Sequence, residues 1–260
     1  MTPPTLVRLL PDLPGLARAA AERGLIGRGG DLGYALHAAL RAGFGEAAPK
    51  PFVLRVESQE PQLLGYVTDD PETVLMHAAL PPVADADLIA SMRLPGLEAR
   101  ALPAAWRPGQ TLDFEVRARP VIRTRPQGRD GPTRERDVFF AAIAGTPLPC
   151  ETVPHRSWPQ RERVYAEWLA RELGRGDAAA VEAARLIAFR RTRVLSRPLG
   201  RDGRRRPSES EGPEALLRGR LRIKDGAGFA ELLARGVGRH RAFGFGMLLL
   251  APPGRLIARD

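Results

Sequence analysis

Residues 215 to 251 read ALLRGRLRIKDGAGFAELLARGVGRHRAFGFGMLLLA, and the hydrophobic pattern changes twice along them. From 215 to 224 apolar and basic residues alternate, which predicts a half-buried strand. From 227 to 236 the apolar residues recur at helical spacing, and residues 246 to 252 then supply a short apolar strand. The predicted inward residues of the first strand are Leu217, Gly219, Leu221 and Ile223. This stretch therefore predicts the second half of a βαββαβ unit.

The first half of that unit lies upstream in the sequence. Residues 111 to 119, TLDFEVRAR, alternate with a period of two, which predicts a strand with one apolar face and one polar face. Residues 161 to 174 place apolar side chains on one side of a helix, and the basic stretch from Phe189 to Arg206 predicts a strand leading into a loop. The predicted outward residues of the first strand are Asp113, Glu115, Arg117 and Arg119. The resulting order, βαββαβ, is that of a ferredoxin-like domain.

The N-terminal part of the chain follows the same order. It predicts strands at 5–10, 51–57 and 62–67, helices at 31–44 and 71–80, a weak strand near 91–97, and an insertion before the first helix. Residues 102–110 hold two prolines and a glycine and form a natural joint. We therefore predict an α+β fold of two tandem ferredoxin-like domains, residues 1–104 and 105–260.

Composition narrows the classes of partner. The chain has 260 residues, 43% of them hydrophobic, and a formal net charge of +10, which favours an anionic partner, nucleic acid ahead of an acidic membrane surface. Only Lys50 and Lys224 are lysines; a coding bias of the genome would also favour arginine, but the excess of basic over acidic residues still points to a ligand. Cys150 is the single cysteine, which excludes an intrachain disulfide, and no apolar stretch approaches the roughly 20 residues of a membrane span. We expect a soluble, cytoplasmic protein without a membrane partner.

The predicted helix at 31–44 carries a candidate catalytic group. Asp31 is a suitable N-cap, and Tyr34, His37 and Arg41 share one stripe opposite the apolar face. A phenol, an imidazole and a guanidinium together suit phosphodiester cleavage, because they can orient a hydroxyl, move a proton and stabilise charge on a phosphate. An ordinary solvated helix face would show the same spacing, so both interpretations stay open at this point.

A glycine-rich loop spans residues 236 to 246. Glycine allows close approach of another molecule, and arginine attracts anions. The loop lacks the GK[ST] ending of a P-loop, and its glycines follow a helix rather than a strand, which argues against a nucleotide cofactor. No spacing of His, Cys or acidic residues predicts a metal site, so we expect neither metal nor cofactor. The interleaved residues are Gly236, Gly238, Arg239, His240, Arg241, Gly244 and Gly246.

Two motifs resemble a known family. GVGRHRAFGFGMLLL, residues 236–250, resembles the C-terminal glycine-rich signature of the CRISPR-associated repeat-processing endoribonucleases of the RAMP superfamily. GYALHAAL, residues 33–40, resembles the Tyr-x-x-His helix of the type I-E branch of that family, called CasE. LDFEVRARP and GRLRI agree in order, so the resemblance covers nearly the whole chain.

The resemblance implies a protein that binds the stem-loop of a CRISPR repeat transcript. It implies cleavage at the base of the stem without a metal, with 2′,3′-cyclic phosphate and 5′-hydroxyl ends, and retention of the product with other subunits of the Cascade complex. No direct contact with DNA is expected. By motif position, His37 transfers the proton and Tyr34 is its partner at the scissile phosphate.

The RNA-binding residues come partly from the resemblance and partly from the rows of outward arginines, since an A-form stem is recognised mainly by shape and phosphate contact. The resemblance places a stem-contacting hairpin at the basic segment after residue 189, and some relatives carry a lysine where Arg241 stands. A longer N-terminal insertion and the Arg-rich loop 196–213 depart from the family pattern. The expected RNA-binding residues are Arg41, Arg117, Arg119, Arg190, Arg191, Arg193, Arg197, Gly236, Gly238, Arg239, His240, Arg241, Gly244 and Gly246.

Two other functions are compatible with the sequence. One is a non-catalytic repeat-binding subunit of the same superfamily, and the other is a basic structural component of a ribonucleoprotein without repeat specificity. The Tyr34 and His37 pair favours the enzyme, because a protein that only holds RNA does not need it.

Overall fold

The computed structural model describes residues 3–56, 60–80, 85–124, 134–144, 158–197, 203 and 206–256. Cys150 and residues 198–202, 204 and 205 of the predicted Arg-rich loop lie outside the described residues. Within the described part, the main chain forms two four-stranded antiparallel sheets and one two-stranded ribbon.

The first sheet is built from the N-terminal part of the chain in the strand order β2-β3-β1-β4. The first and third strands of the unit lie side by side in its centre, as in a ferredoxin-like domain. The elements are β1 (Thr5–Leu9), α1 (Leu13–Glu22), α2 (Gly33–Phe44), β2 (Phe52–Arg55), β3 (Gln62–Val67), α3 (Pro71–Ala79), α4 (Ala86–Ser91) and β4 (Glu98–Ala101).

The second sheet has the strand order β10-β5-β9-β8, which is the same arrangement. Its elements are β5 (Thr111–Ala118), β6 (Val121–Thr124), β7 (Arg134–Asp137), α5 (Val138–Ala142), α6 (Trp158–Leu173), β8 (Ala179–Ser196), β9 (Ser208–Ile223), α7 (Gly226–Arg235) and β10 (Leu248–Ala251). The ribbon β6-β7 and α5 are inserted between the first strand and the first helix of this unit. The predicted fold class is therefore confirmed.

The strand predicted near residues 91–97 is wrong. Ser91 ends α4, a single 3-10 turn follows at Leu94–Gly96, and the strand starts only at Glu98. Pro95 cannot donate a backbone hydrogen bond to a sheet, while Leu94 and Leu97 are buried in the core of the N-terminal sheet. The apolar residues that suggested a strand thus pack as part of a turn.

The predicted loop at 196–213 is shorter than expected, because β9 begins at Ser208 and pairs with β8 as far as the Ser196–Ser208 pair. Residues 208–213 are almost entirely polar and lack hydrophobic periodicity, so no sequence pattern predicted a strand there. They nevertheless pair with residues 191–196 of the partner strand β8. The result is a long antiparallel hairpin, β8-β9.

The polar face of β5, which was predicted to point outward, is largely buried. Asp113 is 0% exposed, and Glu115 is also buried. Two arginines of the neighbouring β9 cover them: Arg220 Nε lies 2.9 Å from Asp113 Oδ1, and Arg218 Nε lies 2.6 Å from Glu115 Oε2. The third arginine in this row, Arg222, pairs with Glu182 of β8. The outward arginines of β9 are thus largely engaged within the sheet.

The two sheets are joined through a buried hydrogen bond. The hydroxyl of Tyr66 on β3 donates to the carbonyl oxygen of Leu248 on β10 at 2.8 Å, and burial raises the pKa of Tyr66. Val53 and Tyr66, both from the first sheet, belong to the hydrophobic core of the second. The division of the chain at residues 104 and 105 stays a prediction. Among the described residues, no helix combines the length and apolar character that crossing a membrane requires.

Candidate functional site

Helix α2 holds the candidate catalytic side chains. Its apolar face is buried in the first core, which leaves Tyr34 and His37 half-buried on the other side. The helix begins at Gly33, with Leu32 at the N-cap position. Asp31 lies one residue before that position, and its Oδ1 accepts a hydrogen bond from the Gly33 N–H at 2.9 Å. The predicted role of Asp31 at the start of the helix is therefore corrected by one residue.

Phe243 of the glycine-rich loop packs against both candidate catalytic residues. Its ring centroid lies 5.5 Å from that of His37 and 5.9 Å from that of Tyr34, and the rings of Tyr34 and His37 lie 6.2 Å apart. A Cβ atom on Gly33 would stand 2.5 Å from the carbonyl oxygen of Phe243, so only glycine allows this approach. Phe243 was not among the predicted site residues, and its place between the glycines of the loop is the sequence signal that points to it.

The glycines of the loop approach the protein itself. Gly236, Gly238, Gly244 and Gly246 all have positive φ angles. A side chain at Gly236 would meet Pro51, one at Gly238 would meet Trp168, and one at Gly246 would meet the carbonyl of Val237. At these three positions the missing side chain makes room for protein atoms, and the predicted contact of the loop with RNA stays a prediction. Gly244 instead lies on the wall of a groove.

Glu135 on β7 binds two side chains of the loop, Arg239 and His240. Its Oε1 accepts from Arg239 Nε at 2.6 Å, and its Oε2 lies 2.7 Å from His240 Nε2. Burial alone would raise the pKa of Glu135, but the hydrogen bonds and charges of His240 and Arg239 outweigh that effect and hold it at about 2. No sequence spacing predicted this contact, because Glu135 and His240 are 105 residues apart.

A buried network fixes the strand that carries Glu135. The carboxylate of Asp137, at the end of β7, accepts from Arg161 Nη1 at 2.9 Å and from the Tyr165 hydroxyl at 3.0 Å. The Arg161 guanidinium lies 4.1 Å from the ring centroids of both Phe139 and Phe189. Helix α6 therefore anchors β7, and through β7 it positions Glu135 against the loop.

Three further predicted site residues, Arg197, Arg41 and Arg241, differ in whether they contact the candidate catalytic side chains. Arg197, directly after β8, lies 5.9 Å from the ring centroid of Tyr34, and it donates to the carbonyl oxygen of Gly24 at 3.0 Å. Arg41 donates to Glu46 at the C-terminal end of α2, and this bond raises the pKa of Arg41. Arg241 donates to the carbonyl oxygen of Arg235. Among these three, Arg197 is the cation that the structure brings to the Tyr34 ring.

Arg117 on β5 and Arg119, directly after that strand, make contacts inside the protein. Arg119 is 1% exposed and donates to Thr192 Oγ1 at 3.2 Å, and burial lowers its pKa. Arg117 makes a bidentate pair with Glu214 at 2.9 and 3.0 Å and lies 4.4 Å from the ring centroid of Phe245. The guanidinium of Arg119 lies inside the protein, and its predicted contact with RNA stays a prediction. Arg117 is largely buried and committed to Glu214.

A groove of about 890 Å³ lies beside the aromatic cluster. Residues 29–33, Leu54 of β2, the hairpin β8-β9 and Phe243 line it. The charged side chains on its wall are Arg117, Arg190, Arg191, Arg193, Asp31, Glu211 and Glu214. Four of the predicted RNA-binding arginines thus line the same groove, and three of them, all except Arg117, come from β8. No group of three or more potential metal ligands is found among the described residues.

The fold places the chain in the class of proteins with two tandem ferredoxin-like domains. Comparison with known proteins shows its family. The family model described as CRISPR associated protein matches residues 7–252. No protein among those with curated descriptions matches the chain. The chain belongs to the CRISPR-associated protein family, as the resemblance implied.

Solved structures show where the fold recurs. A structure of CRISPR endoribonuclease Cse3 bound to 19 nt RNA is 20% identical, with a TM-score of 0.56 over 96% of this chain and 100% of that one. Cse3 of Thermus thermophilus, bound to an RNA representing a pre-cleavage complex, is also 20% identical, with a TM-score of 0.50 over 96% and 100%. A chain of a CRISPR RNA-guided surveillance complex is 18% identical, with a TM-score of 0.51 over 95% and 99%. The fold of this chain is similar to theirs.

Proposed function

We propose that this protein is an endoribonuclease that binds the stem-loop of a CRISPR repeat transcript and cleaves it at the base of the stem. The observation that carries the proposal is the meeting of Tyr34, His37 and Phe243 at the edge of a groove whose wall presents arginines. Family membership and the likeness to RNA-bound Cse3 structures support RNA as the ligand.

The proposed reaction uses the nucleophile that RNA itself contains. The 2′-hydroxyl loses its proton and attacks the adjacent phosphorus, and the bond from phosphorus to the 5′-oxygen breaks. The departing oxygen takes up a proton, which leaves a 2′,3′-cyclic phosphate on one fragment and a 5′-hydroxyl on the other. Positioning, proton transfer and neutralisation of charge are what this reaction asks of the protein.

The side chains of α2 and the loop divide these tasks. His37 moves the proton, since imidazole changes charge near neutral pH, and Tyr34 orients the reacting group beside it. Arg197, next to the Tyr34 ring, supplies positive charge for the phosphate. His240 has its Nε2 engaged by Glu135, so we assign it to holding the loop rather than to proton transfer.

The groove arginines bind the stem. Arg190, Arg191 and Arg193 are exposed along one strand of the hairpin, and A-form RNA is recognised largely through its phosphates and shape. By analogy with the surveillance complex that contains a similar chain, we propose that the product stays bound and joins other Cascade subunits.

The test is incubation of the purified protein with repeat RNA from the same genome, followed by analysis of the fragment ends. We expect two fragments with a 2′,3′-cyclic phosphate and a 5′-hydroxyl, formed equally well in excess EDTA. A 2′-deoxy nucleotide immediately before the scissile phosphate should block cleavage and leave binding intact. Tight, specific binding without any cleavage would support the non-catalytic repeat-binding subunit instead, and equal binding of unstructured RNA would support a general ribonucleoprotein component.

A further inference from the structure

The groove wall holds a carboxylate in the place where an RNA phosphate would be expected. Glu211 on β9 accepts from Arg191 Nε at 2.8 Å and from Arg193 Nε at 3.2 Å, so one carboxylate links two arginines of β8. These hydrogen bonds, first of all that from Arg191, lower the pKa of Glu211. All three side chains line the groove.

The neighbouring carboxylate, Glu214, is held differently. It also lies between two arginines, with Arg190 Nη2 at 2.8 Å, but Arg117 binds it from inside the protein with two hydrogen bonds. Its side chain is 10% exposed, whereas that of Glu211 is 41% exposed. Glu214 is therefore a fixed part of the structure, and Glu211 can yield its arginines to another acceptor.

We propose that Glu211 is a specificity-determining residue, which keeps Arg191 and Arg193 in place in the RNA-free protein and favours a rigid stem over flexible RNA. This inference rests on the proposed RNA-binding function and deepens it. Carboxylate and phosphate are both bound by guanidinium through paired, charge-assisted hydrogen bonds, so a stem phosphate can take the position that Glu211 holds.

Glu211 has two effects on RNA affinity, repulsion and the ordering of arginines, and their sum differs between a stem and a flexible strand. Any RNA is repelled by the carboxylate. A stem with phosphates at fixed positions also benefits from arginines that are already oriented, because ordering long side chains opposes binding. For the stem these two effects offset each other. A flexible strand adapts to any arrangement of arginines and gains nothing from their order, so for it the repulsion remains uncompensated.

The experiment compares affinities of the wild-type protein and Glu211→Gln for two probes of equal length. One is the repeat stem-loop with a 2′-deoxy nucleotide at the cleavage site, and the other is an unstructured oligoadenylate. We expect Glu211→Gln to bind oligoadenylate about three- to fivefold more tightly, the scale of one exposed charge pair, and the stem-loop with less than a twofold change. Discrimination between the probes should fall accordingly.

A matched control exists on the same hairpin. Glu182 on β8 pairs with Arg222 on β9 and does not line the groove, so Glu182→Gln removes the same charge at a distance from the proposed RNA path. We expect it to leave the ratio of the two affinities unchanged. Glu211→Asp keeps the charge and should retain most of the discrimination. Thermal unfolding of each variant checks that the fold is intact.

The outcomes separate this inference from the proposed function. An unchanged ratio of the two affinities in Glu211→Gln would overturn the role of Glu211 while leaving repeat binding intact. A change of the ratio in Glu182→Gln as large as that in Glu211→Gln would overturn it too. A wild-type protein that binds oligoadenylate as tightly as the stem-loop would overturn the proposed function, and the inference with it.

Discussion

The imidazole of His37 meets the ring of Phe243 edge to face, with centroids 5.5 Å apart and an interplanar angle of 87°. His37 belongs to the first ferredoxin-like unit and Phe243 to the glycine-rich loop of the second, so the contact joins the two parts of the chain at the candidate site. An aromatic edge contact of this kind restricts the ring it touches. The position of the candidate proton-transfer residue therefore depends on a loop more than 200 residues away.

Removing that contact should slow the chemistry more than it weakens binding. We expect Phe243→Ala to lower the single-turnover cleavage rate by roughly tenfold to a hundredfold, because a small misplacement of a reacting group has effects of this size. Stem-loop affinity should change by less than threefold. Phe140→Ala, at an exposed aromatic residue on α5, is the control and should cleave at the wild-type rate. A Phe243→Ala protein with an unchanged rate would separate Phe243 from the candidate site.

The close approach of α2 to the loop predicts a stability effect at Gly33. A methyl group there would meet the backbone carbonyl of Phe243, so Gly33→Ala should destabilise the protein by about 1–3 kcal/mol despite the better helix propensity of alanine. Urea unfolding measures the difference. Gly96→Ala is the control, since nothing lies within 4 Å of a Cβ at that position. Equal stability of both variants would mean that the helix and loop can separate without loss.

Stability should fall in acid through Glu135. Its pKa is held at about 2 in the folded protein, against an ordinary value of 4.5, so its contribution is fully present above about pH 5 and is lost as the pH falls from there towards 2. After allowance for partial exposure we expect a loss of about 1–2 kcal/mol over this range. Glu135→Gln should be less stable than the wild type at pH 7 and should lose less on acidification. Denaturant unfolding at several pH values checks this, and parallel pH profiles of the two proteins would contradict it.

Salt dependence should distinguish exposed from buried arginines. Arg193 is half exposed on the groove wall. Arg193→Ala should therefore reduce the slope of log affinity against log salt by about 0.7–0.9, the contribution of one phosphate contact. Arg119 is buried, so Arg119→Met should alter the free energy of unfolding and leave the slope unchanged. Equal loss of slope in both variants would show that Arg119 reaches the RNA.

The fold was predictable to the extent that hydrophobic periodicity determines it. Strand β5 and helices α6 and α7 follow clear alternating or helical patterns, and the order of elements then leads to two ferredoxin-like units. Hydrophobic patterns did not predict which polar side chains are buried. Asp113 and Glu115 look like solvent-facing residues in the sequence, but arginines of the neighbouring strand cover them. Residues 208–213 carry no apolar period, yet they pair along β8.

The candidate site was predictable only within single elements. Tyr34 and His37 lie three residues apart on one helix, so their proximity follows from helix geometry. Phe243, Glu135 and Glu211 make their contacts across the fold, with partners that no local spacing identifies. The glycines suggested room for a ligand, but three of them provide room for Pro51, Trp168 and a backbone carbonyl.

The central claim is that His37, and not His240, transfers the proton in cleavage of the repeat stem-loop. The most direct measurement is the single-turnover cleavage rate at saturating protein, with affinity determined separately on the 2′-deoxy stem-loop. For His37→Ala we predict a rate lower by roughly a hundredfold or more, the scale of lost general acid–base catalysis, and nearly unchanged affinity. For His240→Ala we predict mainly weaker binding. A His37→Ala protein that cleaves at near the wild-type rate, or a His240→Ala protein that binds normally and cannot cleave, would contradict the account.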